Sequence, residues 1–198
     1  MQQLLIASNN QGKIKEYQVL LEGLSMGVTW PVKEGIQEQP EETGVTFEEN
    51  ALIKARFFAR LAPSCWVIGD DSGLEVDALG GEPGVRSARY AGPDASEADR
   101  NRLLLSKLQG VPWKRRTARF VCVIALVRPG GAESTFTGVC NGNIAFEPKG
   151  GVGFGYDPVF YAPELGKTFG ELDLAIKNRL SHRGLAGTKL IEALSRLA

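Results

Sequence analysis

Two groups of acidic residues have the types and spacing of a site for a hard cation. Glu41 and Glu42 lie in the segment EET, and Asp70 and Asp71 lie in GDDSG after an apolar run. Carboxylates at the end of a strand suit a divalent cation, which takes oxygen ligands and usually keeps waters and substrate phosphates. If the chain is still extended there, the two aspartates point to opposite faces, so one reaches a given site and the other is structural. The alternative is that Asp-Asp-Ser-Gly forms an ordinary turn.

A second group, SNNQGK at Ser8–Lys13, follows an apolar run and precedes a helical pattern. A helix N-terminus offers unpaired N–H groups and partial positive charge, and Lys13 adds a full charge at the same place. The Walker pattern is absent, because the segment has one glycine and Ile14 stands where Ser or Thr would bind magnesium. The segment therefore predicts either an anion site built from amides and one lysine or an ordinary turn.

Glycines and aromatic residues alternate in the stretch GGVGFGYDPVF. Gly151, Gly153 and Gly155 would let backbone approach a ligand without a Cβ in the way. Phe154 and Tyr156 offer π-faces on which a base could stack. The aspartate that follows is restricted to an extended conformation by the next residue, a proline. A structural glycine-rich turn is the alternative interpretation.

His182 is the single histidine of the chain, and it lies in the segment SHR with Lys177 upstream. One histidine excludes a His-rich metal site, and no serine motif accompanies it as a Ser-His hydrolase would require. At a helix start, His182 and Arg183 could bind a base edge or a phosphate. An exposed histidine at a helix end is the alternative.

Hydrophobic periodicity predicts the elements that must position these residues. The segment QQLLIAS predicts a strand and IKEYQVLLEGL a helix. Thr46 and Glu49 have the spacing of a capping box before a second helix, FEENALIKARFFARLA. In that helix Asn50 and Lys54 share a face, which is more often a solvated surface than part of a site.

Later segments predict the remaining elements. CWVIGD and GLEVDAL are typical of two strands flanking a turn-like DDSG, and ADRNRLLLSKLQG of a helix closed by Gly110. The β-branched residues between Thr117 and Phe146 predict a long antiparallel hairpin, and SHRGLAGTKLIEALSRLA predicts a final helix capped by Ser181. This order indicates an α/β protein with a mixed sheet, in two lobes around a cleft.

Composition narrows the function classes. The 198 residues carry 23 basic and 23 acidic side chains, so general electrostatic capture of nucleic acid is not expected. The basic segment Lys114–Arg119 is interpreted as a solvated strand edge. The three cysteines are odd in number and widely spaced, which predicts buried, reduced thiols. No apolar run approaches the ~18 residues of a membrane span and no secretory leader is apparent, so we expect a cytoplasmic protein without membrane contact.

Six segments, in this order, resemble the inosine/xanthosine triphosphate pyrophosphatase family: SNNQGKIKE, EETGVTFEENALIKA, DDSGLEVDALGGEPGVRSARYAG, TARFVC, GGVGFGYDPVF and SHR. The resemblance implies one domain over residues 1–198, with an elongated mixed sheet flanked by helices and two lobes around a nucleotide-binding cleft. It also implies a homodimer that hydrolyses ITP, dITP and XTP to the monophosphate and pyrophosphate. The implied cofactor is Mg²⁺, with Mn²⁺ as the alternative. A nucleotide sensor without hydrolysis is the competing function, although a sensor needs no acid to activate water.

The resemblance also assigns roles to individual residues. Asp71 and Lys13 are the catalytic residues, and Asp71 accepts the proton of the attacking water. Glu41 and Asp71 hold the metal, with Glu42 as the competitor of Glu41. The triphosphate is held by Ser8, Asn9, Asn10, Gln11, Gly12 and Lys13. The rest of the nucleotide is held by Ser72, Phe154, Gly155, Tyr156, Asp157, Lys177, His182 and Arg183. Donors such as Lys177 or Arg183 would favour a 6-keto purine over adenine.

Overall fold

The computed structural model describes residues 2–197. The helices are α1 (Gln11–Leu20), α2 (Phe47–Leu61), α3 (Glu97–Lys107), α4 (Leu174–Leu180) and α5 (His182–Leu197). The strands are β1 (Gln3–Ile6), β2 (Gly27–Thr29), β3 (Trp66–Val76), β4 (Thr117–Val127), β5 (Glu133–Ile144), β6 (Phe160–Ala162) and β7 (Lys167–Thr168).

The strands form one sheet in the order β2-β1-β3-β4-β5-β6-β7. β1 pairs in parallel with β2 and with β3. β6 pairs antiparallel with β5 and with β7. The sheet is therefore mixed, and the predicted α/β class is confirmed.

The chain divides into two compact units. The first comprises the described residues of Met1–Asp71, Cys122–Gly138 and Arg183–Ala198, and the second comprises Ser72–Val121 and Val139–His182. Because each unit is assembled from separate chain segments, neither is a continuous stretch of sequence. The single domain and the cleft implied by the resemblance stay predictions.

The core of the first unit includes residues of β1, β3, β4, α1 and α5. Leu4 and Ile6 of β1 are buried with Tyr17 of α1. Ala186, Leu190 and Leu194 of α5 join the same core, and their spacing of four residues places them on one face of the helix. The predicted final helix is confirmed.

The core of the second unit contains a cluster of aromatic rings among aliphatic residues. Phe120 lies against Phe160 with ring centroids 4.5 Å apart, and Phe160 meets Phe169 edge-on at 4.9 Å. Arg116 is buried beside this core, with its guanidinium donating to three backbone carbonyls, including that of Ile144 at 2.9 Å. The interpretation of the whole segment 114–119 as a solvated edge is therefore wrong at Arg116, which fastens two chain segments together.

The predicted turn at DDSG is wrong, because β3 continues without interruption from Trp66 to Val76. A strand can bury successive acids when each finds a cationic partner. Asp70 pairs with Lys13 and Asp71 pairs with Lys54. The expectation that two extended aspartates face opposite ways is met, since the two carboxylates have different partners.

Other elements follow the predictions more closely. The capping box of α2 is present between Thr46 and Glu49. β4 and β5 are adjacent strands joined by the turn 128–132, as the predicted hairpin requires. α1 begins at Gln11, three residues earlier than predicted, because the Asn10 side chain caps it by accepting the Lys13 N–H. The short helix α4 was not predicted.

No helix within residues 2–197 is long and apolar enough to cross a membrane. All three cysteines are free; Cys65 and Cys122 are buried as predicted, and Cys140 is partly exposed.

Gly69 marks the closest approach of α2 to β3. A Cβ at this position would meet the Ala51 carbonyl oxygen and would lie 2.7 Å from the Ala55 nitrogen. Both are backbone atoms, which cannot rotate away as a flexible side chain could. The glycine therefore lets α2 pack against the strand that carries both aspartates.

We expect Gly69→Ala to lower the free energy of unfolding by about 1–3 kcal/mol, because the added methyl group overpacks this contact. Urea unfolding measures the change. Gly151→Ala is the control, since a Cβ there meets nothing within 4 Å. Equal stability of the two variants would contradict the close packing of α2 on β3.

Candidate active site

The Asp70 side chain is completely buried in the first unit and accepts hydrogen bonds from side chains of two helices, α1 and α5. Its Oδ1 lies 2.7 Å from Lys13 Nζ of α1. Its Oδ2 accepts from the Tyr17 hydroxyl at 2.8 Å and from Arg183 Nε at 2.7 Å. These contacts fix the ends of α1 and α5 to the middle of β3.

Charge compensation decides the ionisation of this group. Burial favours the neutral acid, but the charges of Arg183 and Lys13 outweigh it and hold the pKa of Asp70 well below its ordinary value. Arg183 also donates to Glu16 at 2.5 Å. Burial opposes the guanidinium charge, yet Asp70 and Glu16 raise the pKa of Arg183 well above its ordinary value. Two buried anions and two cations thus balance.

Two neutral groups complete the surroundings of Asp70. Burial and the adjacent Asp70 charge raise the pKa of Tyr17 well above its ordinary value. The same two causes raise the pKa of Cys122, whose Sγ lies 3.7 Å from Asp70 Oδ2. Both groups therefore stay protonated and can only donate to the carboxylate.

The predicted anion segment forms the N-terminus of α1. Asn10 caps the helix, Ser8 Oγ accepts the Asn10 N–H at 3.2 Å, and Asn9 Oδ1 accepts the Val32 N–H. The next two residues, Gln11 and Gly12, open the helix itself. A helix start of this kind attracts anions because its first N–H groups lack intrahelical partners.

Lys13 connects this helix start to the buried acid. Its ammonium donates to Asp70 Oδ1 and to the Asp70 carbonyl oxygen at 3.2 Å. An ammonium has three N–H donors, and the Lys13 side chain keeps 16% of its surface exposed. One donor is thus left to reach an anion.

Asp71 forms a second cluster with residues of α2 and of the preceding loop. Its Oδ1 accepts from Lys54 Nζ at 2.8 Å, and Glu42 Oε1 lies 3.4 Å from the same nitrogen. Among residues 2–197, the buried Oδ2 of Asp71 has no hydrogen-bond partner. Buried polar atoms are nearly always hydrogen-bonded, so an orphaned carboxylate oxygen indicates a place for a ligand.

The ionisation of this pair differs from that of Asp70. Burial raises the pKa of Asp71 above its ordinary value, although the Lys54 charge opposes the shift. Burial alone would lower the pKa of Lys54, but the charges of Asp71 and Glu42 raise it. Asp71 is therefore a carboxylate with increased proton affinity beside a fixed cation.

A divalent cation fits this second cluster. Within the described part of the chain, no three His, Cys, Asp or Glu side chains form a ready-made metal cluster. Mg²⁺ does not need one, because it usually binds one or two carboxylates and completes its shell with waters and phosphate. Asp71 Oδ2 would supply one ligand. Glu42 is the acid next to Lys54, whereas Glu41 is exposed, so the geometry favours Glu42 as the second.

In the second unit, Asp157 and Lys177 form a buried ion pair in which Nζ lies 2.5 Å from Oδ2. The same Oδ2 accepts the backbone N–H of Phe154 at 2.8 Å. Lys177 Nζ also lies 4.8 Å from the centre of the Phe154 ring, within cation–π range. Phe154 is half-buried, so part of its surface is available to a ligand.

The glycine-rich loop shows which of its residues pack and which stay accessible. Tyr156 is 4% exposed and its hydroxyl donates to the Ser87 carbonyl oxygen at 2.9 Å, which gives this ring a packing role. Gly153 has φ +85°, and a Cβ there would run into the Asp157 carboxylate. That glycine therefore makes room for Asp157, and Phe154 is the aromatic residue of the pair with an accessible surface.

His182 and Arg183 are buried, so the alternative of an exposed helix-end histidine is wrong. The His182 ring stacks on Phe120, with centroids 4.6 Å apart and planes 13° from parallel. Arg183 directs its Nε and one terminal nitrogen at Asp70 and Glu16. Ser72, directly after Asp71 in β3, is half-buried.

Sequence reasoning missed the burial of the polar face of α2. The solvated-surface interpretation is wrong, because Asn50 is 1% exposed and Lys54 is 7% exposed. The Asn50 amide accepts the Gly44 N–H at 2.8 Å and donates to the Gly44 carbonyl at 3.2 Å. The helix spacing located this pair, but only the tertiary structure shows the acids that it faces.

A model of the Ham1 family matches residues 4–193. The chain belongs to the Ham1 family. A dITP/XTP pyrophosphatase from Exiguobacterium sibiricum is 48% identical over 192 residues, which cover 97% of this chain and 96% of that protein. The structure of a HAM1 protein from Coxiella burnetii has a TM-score of 0.88 and 42% identity, covering 99% of this chain and 100% of that one.

A further solved structure, a nucleoside-triphosphatase / dITP/XTP pyrophosphatase from Mycobacterium abscessus, has a TM-score of 0.75 and 41% identity. It covers 95% of this chain and 98% of its own. Together with the Ham1 match, these relatives confirm the family predicted from the six motifs.

We expect Asp70→Asn to lower the free energy of unfolding by about 3–5 kcal/mol, because it leaves the buried charges of Lys13 and Arg183 without their shared anion. Urea unfolding at neutral pH measures the loss. Asp94→Asn, at an exposed position, is the matched control, with an expected change within about 0.5 kcal/mol. A loss for Asp70→Asn no larger than that of the control would contradict the charge-balanced cluster.

Proposed function

We propose that this Ham1-family protein hydrolyses dITP, ITP and XTP to the nucleoside monophosphate and pyrophosphate. The observation that carries the proposal is the pair of adjacent aspartates in β3. Asp70 is tied to Lys13 at the start of α1, and Asp71 keeps a buried oxygen without a partner. Relatives with 41–48% identity that are named dITP/XTP pyrophosphatases support the same substrate class.

Hydrolysis needs a water oxygen to bond to phosphorus while the anhydride bond between the α and β phosphates breaks. The water proton goes to the carboxylate of Asp71, which acts as the general base. Pyrophosphate leaves with the electron pair of the broken bond. Lys54 keeps its hydrogen bond to Asp71 Oδ1 and holds the carboxylate in place.

The phosphate oxygens carry negative charge that must be neutralised in the transition state. Lys13 offers its remaining N–H donor, and the start of α1 offers backbone N–H groups. The proposed cofactor is Mg²⁺ held by Asp71 and Glu42, and a bound cation of this kind withdraws charge from phosphate oxygens. Mn²⁺ has the same preference for oxygen ligands.

The base is proposed to stack on Phe154, the half-buried aromatic residue of the glycine-rich loop. Lys177 lies beside this ring and is held by Asp157. A 6-keto purine presents an acceptor to such a donor, whereas adenine presents an amino group that finds no partner there. The contacts of His182 and Arg183 with the nucleotide stay predictions. The homodimer and the cytoplasmic location stay predictions.

The test is end-point hydrolysis of ITP, dITP, XTP, ATP and GTP with Mg²⁺, with separation of pyrophosphate from orthophosphate and identification of the nucleotide product. We expect pyrophosphate with IMP, dIMP or XMP and little product from ATP or GTP. Asp71→Asn should lower kcat by about 10²–10⁴-fold, because the proton acceptor is lost. Asp94→Asn is its folding and activity control.

Three results would contradict the proposal. Orthophosphate with a diphosphate product would mean that another bond is cleaved. Saturable binding of XTP without any product would favour the sensor. Near-normal turnover by folded Asp71→Asn would remove Asp71 from catalysis.

A further inference from the structure

Asn101 of α3 contacts the glycine-rich loop but has no assigned role in the reaction. The residue is 5% exposed, and its Nδ2 donates to the Gly155 carbonyl oxygen at 3.0 Å. Its Oδ1 is buried and has no hydrogen-bond partner among residues 2–197. An apolar residue of similar size would avoid this unpaired oxygen, so packing alone does not account for an amide here.

The contact lies at one end of a short backbone segment whose other end is also held. Asp157 Oδ2 accepts the Phe154 N–H, and Asn101 Nδ2 donates to the Gly155 carbonyl. The rotatable bonds between these two atoms are the φ and ψ angles of Phe154 and Gly155. Fixing both atoms therefore restricts the direction in which the Phe154 ring is presented.

The segment needs such restraint because it contains glycine. Gly155 has φ +66°, and a Cβ there would meet nothing within 4 Å. Packing around this position consequently does little to select its conformation, and glycine gives up more backbone freedom on ordering than any other residue. The hydrogen bond from Asn101 supplies the selection that packing lacks.

We propose that Asn101 is a positioning residue for base binding, which acts through the Gly155 carbonyl to hold the Phe154 ring in its binding orientation. This inference rests on the proposed hydrolysis of purine nucleoside triphosphates. A loop that is ordered in advance lowers the cost of binding, because less conformational freedom is lost when the ligand arrives. The orientation of the base does not change during phosphoryl transfer, so Asn101 contributes to KM rather than to kcat.

The experiment compares Asn101→Leu with the wild-type protein in steady-state hydrolysis of dITP. We expect KM to rise about 3- to 10-fold with kcat within about twofold of wild type, because one hydrogen bond that orders the base site is removed. Asn143→Leu is the matched control, since this amide also donates to a backbone carbonyl of the second unit, that of Trp113 at 3.4 Å. It should leave KM unchanged.

A double-mutant cycle with Phe154→Ala separates positioning from a general effect on folding. If Asn101 acts through the ring, Asn101→Leu should raise KM much less in the Phe154→Ala background than in the wild type. Asn101→Ala serves in the same cycle if leucine overpacks the site.

The outcomes are distinct. Three results would overturn the role of Asn101: an unchanged KM in Asn101→Leu, an equal rise of KM in Asn143→Leu, or additive effects in the double-mutant cycle. Each of these leaves the proposed function intact if the wild-type protein turns over dITP. Wild-type protein that does not turn over dITP would contradict the proposed function and, with it, this role.

Discussion

Burial of the Asp70 carboxylate is the constraint on which the first unit depends. An isolated carboxylate without water costs several kcal/mol, so the folded state needs partners that reach it from every side. Lys13 and Tyr17 come from α1, and Arg183 comes from α5 with Glu16 as its second anion. Because these partners belong to α1 and α5, compensating the one buried charge on β3 also fixes both helices against the sheet. The start of α1 consequently presents its N–H groups from a rigid position.

Because successive residues of a strand point to opposite faces, the adjacent Asp70 and Asp71 have different surroundings and different pKa values. Asp70 and Asp71 face opposite ways, and their surroundings drive their pKa values apart: opposing charges lower the first, and burial raises the second. The two acids thus divide structural and reactive roles, as pairs of carboxylates in other active sites do when their environments differ. Gly69, directly before them, allows α2 to approach and place Lys54 on Asp71. Fold and chemistry are therefore set by the same strand.

Short-range sequence patterns were sufficient to predict the features that depend on neighbouring residues alone. The Thr46–Glu49 capping box, the β4–β5 hairpin and the opposite orientation of the two aspartates all follow from short-range rules. Burial of charge was not predictable in this way, because the partners are distant in sequence; Arg183 is 113 residues from Asp70. For the same reason the sequence did not predict that DDSG stays extended or that Lys54 is buried, since Lys54 pairs with Asp71 across 17 residues. It also did not predict that Tyr156 packs in the core, since its hydroxyl partner Ser87 is 69 residues away. The sequence locates the charged residues, but only the tertiary structure shows which partners compensate their charges.

A crystal structure with Mg²⁺ and a non-hydrolysable dITP analogue would test most directly the division of roles between the two aspartates. We predict a phosphate oxygen about 3 Å from Lys13 Nζ and Mg²⁺ about 2.1 Å from Asp71 Oδ2. Asp70 should keep its bonds to Lys13, Tyr17 and Arg183 and should not contact the metal. Mg²⁺ bound to Asp70, or phosphates bound away from both Lys13 and Asp71, would contradict this account.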